Sequence, residues 1–121
     1  MRYLTGDHPA QSAKARALID NNDVFVCTTV LLESEWVLRS VYGYEPVALT
    51  NALAAFAGLE RVTLEDSALA ARALDWTAKG VDLADALHLL QSEGCEAFVT
   101  FDARFAAAAN RPGSELNVRT P

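Results

Sequence analysis

Val24-Phe25-Val26-Cys27-Thr28-Thr29-Val30-Leu31-Leu32-Glu33 is the stretch on which the fold turns. Its first four residues are apolar without interruption, whereas a strand with one wet face would alternate. So short a continuous run belongs to a strand covered on both faces, as in a parallel sheet. The period then changes. Leu32, Trp36 and Val37 share one face of a helix expected from about Val30 to Tyr42, and Ser40 and Val41 continue that face. Glu35 and Arg39 form an i,i+4 pair on the other side. Gly43 ends the helix.

The same alternation extends in both directions. Upstream, Asp7-His8-Pro9 is a helix start with Pro9 near the first helical position, and the helix runs to about Ile19 before an Asn21-Asn22-Asp23 turn. Downstream, Pro46 opens a helix that closes at Gly58, and Val62-Thr63-Leu64 reads as a short strand. Asp66 or Ser67 caps a helix running to Lys79. Asp82 caps another that ends near Gly94. Ala97-Phe98-Val99-Thr100 is a second buried strand, Asp102 caps a short helix, and Leu116-Asn117-Val118 makes a final edge strand. Strands alternating with helices give an α/β fold, a parallel sheet flanked by helices. Trp36 and Trp76 fall on apolar helical faces and are expected in the core.

The chain has 121 residues, enough for one domain and one core, taken as residues 1–121. With 51% apolar residues it can bury that core. No apolar run approaches ~18 residues, and the N-terminus lacks the apolar stretch of a signal peptide, so a cytoplasmic protein without a membrane span is expected. Cys27 and Cys95 stand beside apolar runs without ligand spacing and are expected to be buried, reduced thiols. The net charge of −6 opposes simple phosphate-backbone binding but suits a site that concentrates carboxylates, or a basic protein partner. There is no phosphate-loop glycine motif and no nucleophile elbow.

Sheets of this kind carry their chemistry beyond the carboxyl ends of the strands. Glu33 follows the first strand, in what is expected to be the first helical turn and on or near its buried face. Asp102 follows the 97–100 strand, and Asp85 lies one turn after Asp82. Together such carboxylates provide the hard oxygen ligands that Mg²⁺ or Mn²⁺ takes, and a bound cation would offset their repulsion. The same acids also read as helix caps and dipole partners, worth about 0.3–1 kcal/mol each. His88 falls on the side of Asp85 and reads as a core-edge histidine; His8 reads as exposed.

Three segments in order carry a resemblance. Residues 28–39, from Thr28 through Glu33 to Arg39, resemble the second conserved stretch of PIN-domain ribonuclease toxins of the VapC type. Asp82-Leu83-Ala84-Asp85-Ala86-Leu87-His88-Leu89 resembles the third, and Val99-Thr100-Phe101-Asp102-Ala103-Arg104-Phe105 the fourth. The resemblance implies a three-layer PIN-like domain and Mg²⁺- or Mn²⁺-dependent endonucleolytic cleavage of RNA. It further implies homodimerisation and neutralisation by a VapB-type antitoxin. It matches Glu33, Asp85 and Asp102 to three of the family's four conserved acids and Thr100 to a small polar residue near them, with Asp82 an additional acid at the rim. Arg39, Arg104 and Arg111 are candidates for the RNA-binding face.

One departure stands out. The family's first strand is central in the sheet and ends in an Asp-Thr-Asn motif, and Arg2-Tyr3-Leu4-Thr5-Gly6-Asp7 resembles only the tail of the helix that follows it. Losing about five buried apolar residues at ~1.5–3 kcal/mol each would forfeit roughly 7–15 kcal/mol, as much as a small domain's whole stability. Two unpaired strand edges are expected inside the sheet. Three explanations stand open: a natural start upstream, a strand borrowed in a dimer, or an inactive copy. The functional alternatives are therefore an active ribonuclease, an inert PIN-like remnant that dimerises and binds antitoxin, and a phospho-accepting or small-ligand domain. The last lacks a matching lysine late in the chain.

Overall fold

The structure is a computed structural model that describes residues 2–6, 8–109 and 117–121. A short helix, α1 (Arg2–Thr5), leads into α2 (Pro9–Asn21), then β1 (Val24–Val26), α3 (Thr28–Ser40) and α4 (Pro46–Ala57). After these come β2 (Val62–Leu64), α5 (Ser67–Ala78), α6 (Leu83–Gln91), β3 (Phe98–Val99), α7 (Ala103–Ala109) and β4 (Val118–Arg119).

The boundaries follow local chemistry. Pro9 and Pro46 occupy first-turn positions of α2 and α4, where a missing N–H costs nothing. His8 caps α2, its Nδ1 accepting from the Gln11 N–H at 3.3 Å; Asp7 and Leu116 lie outside the described residues. Asp66 caps α5 by accepting from the Leu69 N–H at 3.0 Å. Gly43 and Gly80, at φ +69° and +103°, turn the chain after α3 and α5 through a region that side chains disfavour.

The strands pair in parallel, as expected, but as two separate pairs. β1 lies against β2 with Val24 opposite Val62, and β3 against β4 with Phe98 opposite Val118. In the first pair the Val24 N–H donates to the Arg61 carbonyl at 2.7 Å and the Glu65 N–H to the Val26 carbonyl at 2.9 Å. This register points the Phe25 backbone groups away from β2. By the same logic Phe98 and Thr100 donate to Asn117 and Arg119, and the Val99 groups point away from β4. Phe25 and Val99 are 62% and 52% exposed. Among the described residues neither of these edges has a strand partner, so the single sheet of the sequence reading is replaced by two separate pairs.

The main core is helical. Leu31 and Leu38 of α3, Leu49 and Leu53 of α4, Leu74 of α5, and Leu83, Leu87 and Leu90 of α6 form one buried cluster. Each of these leucines contributes about 1.5–3 kcal/mol of burial. A smaller cluster of Ile19, Val26, Phe56 and Val62 underlies the β1–β2 pair, and a third of Leu89, Ala106 and Val118 underlies β3–β4.

Three expectations are corrected. α3 starts two residues earlier than the pattern suggested, and its buried face is Leu31-Glu35-Leu38, at i, i+4 and i+7. Trp36 therefore turns outward, 55% exposed, while Glu35, expected on the other side, is buried. Cys27 and Cys95 are both exposed; each stands beside an apolar run but outside the strand itself, Cys27 at the α3 N-cap and Cys95 before β3. Trp76, half-buried, packs against the main core as expected.

Candidate active site

Two helix N-termini carry the acids. Leu83 is fully buried and anchors the start of α6, so Asp82 just before it stays at the surface. There Asp82 caps the helix, its Oδ1 accepting from the Ala84 N–H at 3.0 Å. Asp102 follows β3 and caps α7, its Oδ1 accepting from the Phe105 N–H at 3.0 Å. Thr100 fixes the turn between them, its Oγ1 accepting from the Asp102 N–H at 3.1 Å. The capping reading of these two acids thus holds locally.

Asp85 differs. It lies in the first turn of α6, half-buried, and its carboxylate takes no hydrogen bond from the described residues. Its proton is held above the usual carboxylate range. Burial contributes most and the negative charge of Asp82 next; Asp102 adds to the rise while His88 opposes it. The arrangement therefore brings Asp82, Asp85, Asp102 and an exposed His88 into one electrostatic neighbourhood across the α6 and α7 N-termini.

Glu33 stands elsewhere than expected. It is the sixth residue of α3, beyond the first turn, and its side chain is exposed. The charges acting on Asp85 do not include it. The buried acid of α3 is Glu35, which sequence reasoning assigned to the solvent side because an i,i+4 pair with Arg39 is ordinarily a surface feature. A second acid escaped notice. Glu65, just past the end of β2, accepts the Thr28 N–H at 3.0 Å and so ties the start of α3 to the neighbouring strand. Arg104 is exposed on α7, and Arg111 lies outside the described residues.

The carboxylates are oxygen donors, which suit a hard cation such as Mg²⁺ or Mn²⁺ and not a thiophilic metal. Their spacing is more open than a metal centre requires: among the described residues no three His, Cys, Asp or Glu side chains come together to hold an ion. Substitutions at Asp82 separate its two effects. Asp82→Ala removes the cap and is expected to cost about 1 kcal/mol in urea unfolding. Asp82→Asn keeps a capping oxygen and should leave stability within about 0.5 kcal/mol of the parent.

The PIN domain family model matches residues 1–111, and the chain belongs to that family. PIN domains are generally nucleases. A curated relative, a phosphoribosylated imidazole-4-carboxamide isomerase of Corynebacterium glutamicum, is 30% identical over 115 residues, covering 93% of this chain and 43% of that protein. The chain thus spans less than half of that relative's length. No solved structure gives a significant match. Among the described residues no helix is long and apolar enough to cross a membrane.

Proposed function

We propose that this chain is a VapC-type endoribonuclease that hydrolyses RNA phosphodiesters in the crevice at the α6 and α7 N-termini. The observation that carries the reading is Asp85. Asp82 and Asp102 are occupied as caps, but Asp85 has no capping role and is held half-buried between two like charges. Carboxylates held this way cluster at functional sites. In this reading Asp85 and Asp102 would hold Mg²⁺ or Mn²⁺, Glu33 of α3 would complete the set, and Asp82 and Thr100 would support them. The cation, when bound, supplies positive charge to the phosphate whose ester bond breaks. Thr100 holds the Asp102 backbone, and the Asp85 carboxylate would be the group left to bind.

The reading also includes a strand between β1 and β3 that ends in the fourth acid; the open edges at Phe25 and Val99 support it. A homodimer, a VapB-type antitoxin and a cytoplasmic setting complete it by resemblance. The open spacing of the acids favours a second reading, an inert PIN-like domain that binds its antitoxin without cleaving RNA. Incubation of the purified chain with single-stranded RNA and Mn²⁺ decides between them. Cleavage abolished by EDTA is the expected result. Intact RNA, or cleavage that persists in EDTA, overturns the metal-dependent nuclease.

A further inference from the structure

Glu35 is only 2% exposed, between Leu31 and Leu38 on the buried face of α3. A carboxylate at such a position is costly unless it is paired and hydrogen-bonded. Its Oε1 accepts from Arg39 Nε at 2.8 Å, while Oε2 is buried and has no partner among the described residues. A leucine would pack this position without that cost, so the carboxylate requires an explanation beyond stability.

The geometry of the pair supplies one. A two-pronged arginine–carboxylate pair would use both carboxylate oxygens and two guanidinium nitrogens. Here a single bond grips Nε, and the two terminal nitrogens of Arg39 take no partner among the described residues. The Arg39 side chain is 46% exposed, so its head reaches solvent while its base is fastened to a buried group. An ordinary surface arginine loses rotamer freedom when it binds a ligand; one stapled at Nε has already lost much of it. The terminal nitrogens remain as a planar fork, the shape that takes a phosphate oxygen pair.

Its location fits the crevice. α3 packs against α6, and the charge of Asp82 reaches the Arg39 guanidinium. A fixed cation thus stands beside the acidic N-terminus of α6 in a chain whose net charge of −6 repels polyanions. We propose that Arg39 is the side chain that contacts a backbone phosphate of the RNA, and that buried Glu35 is the residue that positions it. This rests on the nucleic-acid reading of the same crevice and adds what that reading lacks, a cationic contact.

The test is RNA binding, not cleavage. A fluorescein-labelled single-stranded RNA of mixed sequence is titrated with the full chain in EDTA and followed by anisotropy across a salt series. The variants are Arg39→Lys, Glu35→Gln and the double variant Glu35→Gln/Arg39→Gln. Arg39→Lys keeps the charge but loses the fork, and is expected to weaken binding about 5–10-fold. Glu35→Gln makes the protein less negative, so charge alone would tighten binding; loss of positioning is expected to weaken it about threefold or more. The double variant leaves no unpaired buried charge and keeps the fold testable if a single variant unfolds. It should weaken binding at least tenfold and flatten the slope of log K against log salt by about 0.7, the value for one phosphate contact on a single strand.

Tighter or unchanged binding by Glu35→Gln, or an unchanged salt slope in the double variant, overturns the proposal and leaves the pair a structural one. So does a parent chain that binds no RNA. If the parent binds RNA with the expected variant pattern yet cleaves none with Mn²⁺, the nuclease reading fails and this inference stands.

Discussion

Asp85→Asn is expected to lose RNA cleavage by at least about 100-fold and, in EDTA, to melt higher than the parent. The two effects share one cause. The parent holds a carboxylate in a half-buried position beside Asp82 and Asp102, and its proton affinity is raised by burial and by those charges. The folded state thus binds this proton more tightly than the unfolded chain does. Above the raised folded value both states are ionised and the fold carries the full penalty. As the pH falls toward the ordinary unfolded value of about 3.9 the penalty fades, and below it is absent. The advantage of asparagine should therefore be complete at pH 7 and vanish in acid. Thermal melts at pH 7 and pH 3.5 beside a cleavage assay check both parts. A variant that still cleaves, or one that melts lower than the parent at pH 7, contradicts this account of Asp85.

Leu83→Ala is expected to cost about 3 kcal/mol in urea unfolding, within the range seen for buried leucine truncation. Leu83 is fully buried, belongs to the main helical cluster, and lies between Asp82 and Asp85 in sequence. It fixes how deep the first turn of α6 sits, so it sets the position of both acids. A loss of this size is a large part of the 5–15 kcal/mol that stabilises a small domain. Cleavage should fall at temperatures where the fold is still intact, because the first turn of α6 loses its anchor. A loss below about 1 kcal/mol would mean that the core does not position this turn.

Much of this was readable from residue types whose preferences are local. Pro9 and Pro46 marked two helix starts, and Asp66, Asp82 and Asp102 marked three more, because capping needs only a side-chain oxygen and the next few amides. Asp85 and Asp102 were legible as candidates by their place in a first turn and after a strand, and the charge of Asp102 bears on Asp85. The phase of α3 was not legible. Its apolar residues fit two overlapping faces, and the choice turned on whether Glu35 with Arg39 or Trp36 would be buried. Pairing can carry a carboxylate inward, and tertiary packing decides when it does. The division into two strand pairs was foreshadowed only as unpaired edges, since pairing between distant segments leaves no local mark. Nor does proximity to an apolar run settle burial, as the exposed Cys27 and Cys95 show.

The β3–β4 pair rests on its own small cluster, with Phe98 edge-on to Phe105 at 5.8 Å and Trp76 packed against both this cluster and the main one. Amide exchange should accordingly fall into two classes. Amides in α4, α5 and α6 exchange only when the whole domain opens, whereas those of Phe98, Thr100 and Phe105 exchange through a smaller local opening. Asp102 stands on the second unit, whereas Asp85 lies on α6, which contributes to both clusters, so the two acids sit across a seam between parts of unequal stability. Trp76 sits at that seam while Trp36 faces solvent, and the fluorescence of Trp76 becomes an internal reporter of how often the two carboxylates part.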